Sequence, residues 1–190
     1  MQPNRRSRTD APAEEKQFDE RVVNIDRVAR VVKGGRRFRF RALVVVGDRK
    51  GKVGMGIAKG ADVTTAVSKA VDVAKKNFIK VEVIDGTIAH EAEVKVGGAR
   101  IFIKPAAPGT GLIAGGVVRT VLEVAGVSNA SSKSLGSSNK INTTYATIAA
   151  LESLLHPDKW ITKRGEKADK PKKAAPKAEK AKKAEKDEKK

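Results

Sequence analysis

The chain has no cysteine, so disulfide scaffolds and thiolate chemistry are excluded. Its two histidines, His90 and His156, lie far apart and have no metal-ligand spacing. Neither a metal nor a cofactor is expected. Aromatic residues make up only 4% of the 190. That scarcity argues against a platform for stacking single-stranded nucleic acid, which needs exposed rings. No apolar run approaches the roughly 18 residues of a membrane span. The first residues hold no apolar stretch of the secretory-leader type. On these grounds we expect a soluble intracellular protein without a membrane partner. Acidic residues are also short in supply: 22 Asp+Glu face 40 Lys+Arg, a net charge of +18. A surplus of this size favours anionic partners, nucleic acid above all.

The surplus is concentrated. Between Arg27 and Lys59 the only acidic residue is Asp48, against 11 Lys+Arg. Within that span runs "KGGRRFRFRALVVVGDRKGKVGMG". In a strand, residues two apart share a face at roughly 6.6 Å. Arg37, Arg39 and Arg41 then lie on one face, and Phe38, Phe40, Ala42 and Val44 on the other, which we read as a core face. Arginine stays charged and offers several planar donors to phosphate, so three in line can follow a nucleic-acid backbone. Charges that merely protect a sheet edge would be a mixture of signs. Gly34-Gly35 is read as a hairpin turn, and "GDRKGKVG" as a second glycine loop, one at each end of the arginine strand. Glycine lets backbone N–H groups approach phosphate closely. The candidate RNA-binding residues here are Arg27, Arg30, Lys33, Gly34, Gly35, Arg36, Arg37, Arg39, Arg41, Arg49, Lys50 and Lys52.

Four segments are expected. Residues 1–13, with "RRSR" and two prolines, read as a basic disordered arm. Residues 14–78 read as one domain: a short helix over 14–21, three β-like runs separated by glycine turns, and a helix from "ADVTTAVSKAVDVAKKNF" capped by Asp62. The stripe Val63, Ala66, Val67, Ala70, Ala74 and Phe78 should lie on the sheet. Residues 79–162 read as a second domain. "IKVEVI", "TIAHEAEVKV" and "ARIFIK" are strands, with Gly97-Gly98 as a hairpin turn. "GVVRTVLEVAG" is a helix stopped by Gly126. "NKINTTYATIAALESLL" is a helix with the stripe Ile141, Tyr145, Ile148, Leu151 and Leu155, ended by Pro157. Trp160 is expected to cover that end. "SKSLGSSNK" precedes this helix and is either an anion site or an ordinary Ser/Asn cap. Residues 163–190 are Lys/Ala/Glu/Pro without an apolar face and read as a disordered tail.

Three motifs fail on inspection. "GKVG" (51–54) fits a G-x-x-G loop, but its flanks are β-like rather than helical. "GDRKGKV" is one residue short of a phosphate-binding P-loop and has Val53 where Ser or Thr should hold magnesium. "GTGLIA" (109–114) lacks the acidic residue expected near 20 positions on. No catalytic constellation emerges, so an enzyme is not expected, and His90 reads as an ordinary strand residue.

"RVVKGGRRFRFRALVVVGDRKGKVGMGIAKG", "PGTGLIAGGVVRTVLEVAGV" and "KSLGSSN" closely resemble the bacterial small-subunit ribosomal protein family S-five. The resemblance runs over residues 14–157. It implies an α+β fold: an N-terminal domain like the double-stranded-RNA-binding fold (α-β-β-β-α), packed on a C-terminal α/β domain with a left-handed crossover. It implies a cytoplasmic protein of the small ribosomal subunit that binds 16S ribosomal RNA, aids assembly and influences decoding accuracy. The implied partners are the fourth and eighth small-subunit proteins and the messenger RNA entering the subunit; no homo-oligomer is implied. Residues 33–36 are implied to reach an RNA helix of the head. Ser137, Ser138 and Asn139 are carried over as RNA-binding, and Gly109, Thr110, Gly111 and Arg119 as the interface with the fourth protein. A free double-stranded-RNA-binding regulator is the alternative; co-sedimentation with small subunits separates the two.

Overall fold

The structure is a computed structural model and describes residues 18–155. Strands β1 (Asp19–Val32), β2 (Gly35–Gly47) and β3 (Lys52–Gly60) are followed by helix α1 (Val63–Lys76) and strand β4 (Phe78–Lys80). These strands form one antiparallel sheet in the order β1-β2-β3-β4. A small hairpin, β5 (Val83–Ile84) with β6 (Thr87–Ile88), comes next. Then follow β7 (Ala92–Val96), β8 (Ala99–Pro105), β9 (Leu112–Ile113), α2 (Gly116–Ala125), β10 (Ala130–Gly136) and α3 (Lys140–Glu152). The second sheet has the order β7-β8-β10-β9, and its β9–β10 pair is parallel across α2.

Residues 42–46 (Ala-Leu-Val-Val-Val) are buried without alternation. The reason is that both faces of the first sheet are covered. Ala42, Val44 and Val46 pack against Ala66, Ala70, Val71 and Ala74 of α1. Leu43 and Val45, on the other face, join Val53, Met55, Ile101, Ile103, Val121, Leu122 and Leu151 in the larger core. Each such side chain is worth roughly 1.5–3 kcal/mol when fully buried. The α1 side depends on small residues in both elements. A Cβ at Gly56 would lie 2.7 Å from the Ala74 nitrogen, so only glycine allows β3 and α1 to approach this closely.

Several expectations need correction. The helix over residues 14–21 does not extend into its described part, because residues 19–21 pair with residues 45–47 as strand β1; residues 14–17 lie outside the described residues. Phe38 is not a core residue. It is 50% exposed, whereas Phe40 packs against the α1-side core. The β3 pairing begins only at Phe40↔Gly60, so Phe38 stands beyond the covered part of the sheet. "TIAHEAEVKV" is two strands, interrupted between Ile88 and Ala92.

The stripe expected on α3 holds only in part: Leu151 is buried and Ile141 and Ile148 pack against the larger core, but Tyr145 and Leu155 are exposed, and the buried face is completed by Thr143, Thr144, Ala146, Thr147 and Ala150. Threonine can be buried there because each hydroxyl donates to a carbonyl one turn back. Thr147 Oγ1 donates to Thr143 O at 2.7 Å and Thr144 Oγ1 to Lys140 O at 2.8 Å. "IKVEVI" is divided between β4 of the first sheet and β5 of the small hairpin, and Phe78 lies on β4, beyond the end of α1; Gly126 ends α2 as expected, in the left-handed conformation (φ 92°). The arm over 1–13, the tail over 163–190, His156, Pro157 and Trp160 lie outside the described residues.

Candidate nucleic-acid interface

Because β3 covers β2 only from Phe40 onward, the tip of the β1–β2 hairpin projects as a two-stranded ribbon. Its register fixes which side chains share a face. Arg30 stands opposite Arg37, Val28 opposite Arg39 and Asp26 opposite Arg41, while Lys59 flanks Arg41 from β3. Residues paired across an antiparallel ladder point to the same side. Arg30, Arg37, Arg39 and Lys59 therefore gather around a shallow depression of about 270 Å³ whose lining also includes Val28. Among the described residues, none of these four cations has an acidic partner. Arg41 does: its Nη2 donates to Asp26 Oδ2 at 2.8 Å, and Asn24 Nδ2 donates to Asp26 Oδ1 at 2.7 Å. The Arg41 guanidinium, then the Asn24 amide, hold the Asp26 carboxyl below its ordinary value.

Four unpaired cations on one exposed face repel each other, and a polyanion relieves that repulsion. Lys59 escaped the sequence reading of the site, although it closes the basic span. Only the pairing Arg41↔Lys59 reveals its position. The turn at the tip uses glycine for its backbone. Gly34 has φ 91° and Gly35 φ 151°, with open space around both. The opposite face of the ribbon differs: the Arg27 guanidinium lies 3.9 Å from the centre of the Phe38 ring, and Arg36 stands opposite Val31.

The second glycine loop does not join this site. It lies at the other end of the 13-residue strand β2, about 40 Å away at the usual rise. Its backbone donors are already used. Arg49 N donates to Val124 O at 3.1 Å and Gly51 N to Ala125 O at 3.0 Å. Asp48 Oδ1 accepts from Lys50 N (2.7 Å) and Lys52 N (2.9 Å). Burial pushes the Asp48 carboxyl up, but the Lys52 and Lys50 N–H groups outweigh it and hold the group below its ordinary value. Thus the loop docks on the end of α2 and leaves the Arg49, Lys50 and Lys52 side chains exposed.

Arg49 is itself tied down, with Nη2 2.6 Å from Asp19 Oδ2. Asp19 also meets Arg21, and Arg21 reaches Glu123, which accepts from Arg119 Nε at 2.9 Å. One ion-pair chain therefore links Arg49 to Arg119. Gly109 N and Gly111 N both donate to Asn129 Oδ1, at 3.2 and 3.0 Å, and Thr110 N donates to Ala107 O. Asn129 was also missed; its role depends on a contact 18 residues away.

At the start of α3, Asn139 Oδ1 accepts from Ile141 N, and Ser137 Oγ accepts from Asn139 N. Ser137 N donates to Gly98 O. Ser138 is exposed. Both Asn139 and Ser137 thus have capping duties. Lys140 Nζ reaches Asn24 Oδ1 at 2.9 Å, which puts the α3 start beside Asn24, Asp26 and Arg41. The fold brings Lys140 beside the base of the β1–β2 hairpin across more than a hundred positions of sequence.

Among the described residues there is no group of three or more His, Cys, Asp or Glu able to hold a metal. No helix among the described residues is long and apolar enough to cross a membrane. Comparison with known families gives two matches in order along the chain: residues 18–82 match the model of ribosomal protein S5, N-terminal domain, and residues 94–164 that of ribosomal protein S5, C-terminal domain.

Proposed function

Since the chain belongs to the ribosomal protein S5 family, whose members are structural proteins of the small subunit that bind ribosomal RNA, we propose that its ribbon is the main RNA-holding element. The observation that carries this reading is the set Arg30, Arg37, Arg39 and Lys59, four cations on one face without acidic partners among the described residues. Ribosomal RNA is irregular and folded. Its duplex parts offer phosphates and 2′-hydroxyls rather than readable major-groove edges, and arginine at strand spacing suits that surface.

In this reading the protein is bacterial and cytoplasmic, and it binds 16S RNA in the body of the small subunit. Residues 33–36 reach an RNA helix of the head. Residues 137–140 extend the contact. Arg119 and residues 109–111 face the fourth small-subunit protein, and further contacts go to the eighth protein and to incoming messenger RNA. Through the first of these interfaces the protein contributes to assembly and decoding accuracy. The first sheet with α1 corresponds to a double-stranded-RNA-binding-like domain, and the β9-α2-β10 connection to a left-handed crossover.

The test is reconstitution. Wild-type protein should co-sediment with small subunits in high-magnesium sucrose gradients, and Arg37→Ser/Arg39→Ser protein should do so only at lower salt. A wild-type protein that binds duplex RNA but stays at the top of the gradient would favour a free RNA-binding regulator instead.

A further inference from the structure

The face of the ribbon turned away from the four cations is neither core nor plainly basic. Val22, Ile25, Val31 and Phe38 are 47%, 43%, 77% and 50% exposed. The register puts all four on the same face: Val22 pairs with Val44 of the α1-side core, and Val31 and Phe38 follow at even spacing. Half of the large exposed hydrophobic residues of the described chain are thus collected on one face of one hairpin. Within this face, the Arg27 guanidinium lies 3.9 Å over the Phe38 ring. The ring stays half exposed although its strand ends in a buried run.

We infer that this face takes an unpaired RNA nucleobase, stacked on the Arg27–Phe38 pair and edged by Ala29 and Val31. The inference rests on the RNA-binding reading above and assigns a second contact type to the same ribbon. Charge decides between an RNA base and an apolar protein surface as occupant. Arg27 and Arg36 frame the patch, and the ribbon carries no Asp or Glu on this face between Ile25 and Val31 or between Arg36 and Phe40. An apolar protein surface would have to bury both guanidinium groups without partners, at a high desolvation cost. A nucleotide brings its phosphates with its ring. An aromatic or guanidinium plane stacks on any base. The two faces then divide the work: the arginine face holds phosphates, and the Phe38 face holds a base that has left its helix.

The probe is an oligoadenylate of about a dozen nucleotides, compared with a strand of the same length without bases, both titrated against the full chain. Phe38→Leu keeps an apolar side chain at a half-exposed position and should melt like the parent. Its affinity for oligoadenylate should fall about tenfold, within what one base–aromatic stack is worth. Its salt dependence should not change, because no charge is lost. The parent should likewise bind the abasic strand about tenfold more weakly than oligoadenylate, whereas Phe38→Leu should treat the two alike. The abasic comparison needs no altered protein, so it stands even if the variant misfolds. If both proteins bind with the same steep salt dependence and Phe38→Leu is neutral, the stacking inference falls and the RNA-binding reading survives. If neither strand binds in a salt-dependent way, that reading fails and takes the inference with it. If Phe38→Leu matches the parent on both strands yet no longer joins small subunits, the face belongs to a protein partner and the inference is wrong.

Discussion

Replacing Arg37 and Arg39 by serine removes two of the four unpaired cations of the ribbon while leaving the β1–β2 ladder and both cores untouched. Each phosphate contact contributes roughly 0.7–0.9 to the slope of log affinity against log salt. The double variant should therefore lose about 1.4–1.8 units of slope. Over a fourfold range, about 50 to 200 mM, that removes about tenfold of salt sensitivity. Arg41→Ser is the internal control. It lies on the same face, one strand step further along, but its guanidinium is already held by Asp26. Its removal should change the slope by less than about 0.5, since a charge that stays with its carboxylate releases few counterions. Fluorescence anisotropy with a 16S RNA fragment at four or five salt concentrations measures all three slopes. If Arg41→Ser flattens the slope by half as much as the double variant does, the division between paired and unpaired cations is wrong. If the double variant keeps the parental slope, the RNA sits elsewhere.

Other perturbations test the frame around the site. Gly56→Val should cost about 3 kcal/mol in a denaturant melt, because its side chain would enter the space of α1; Gly115→Ala, in open space at an ordinary φ of −64°, should stay within about 0.5 kcal/mol. Acid should destabilise the fold through four carboxylates with lowered pKa values: Asp19, held by Arg49; Asp26, held by Arg41; Glu93, held by Arg100; and Asp48, where backbone N–H groups outweigh burial. A lowered folded value means stability that is complete above the unfolded pKa, near about 4, and is lost as pH falls through the folded value. Urea melts should be level above about pH 5 and weaken below about pH 4, and stability that rises toward acid would contradict this. Arg119→Leu should leave melting within about 1 kcal/mol, since it breaks only an exposed pair with Glu123. It should also assemble normally and change miscoding at near-cognate codons several-fold; an unaltered error rate with full incorporation would remove Arg119 from the fidelity interface.

The ribbon was legible because its signal is local. Alternation of Arg with Phe, then "ALVVVG", specifies a strand that is exposed at one end and covered on both faces at the other. What escaped depends on partners distant in sequence. Phe38 and Phe40 are equivalent by alternation, and only the point where β3 begins to pair separates the exposed ring from the packed one. The two glycine loops look alike on paper. One is open, and the other spends its N–H groups on the carbonyls of α2. The α3 face was misread because threonines that bond their own helix count as polar in a stripe but pack as apolar. Lys59 and Asn129 required a register and a loop contact that no short window contains.

The central claim is that RNA covers the face of Arg30, Arg37, Arg39 and Lys59. Lysine acetylation of the free protein and of its complex with purified 16S RNA tests it most directly. Lys59 lies on that face, and Lys69 is exposed on α1, which packs on the opposite side of the sheet. Peptide mass spectrometry should show Lys59 labelled in the free protein and protected in the complex, with Lys69 labelled in both. Equal labelling of Lys59 in both states, at RNA concentrations that saturate binding, would contradict the account.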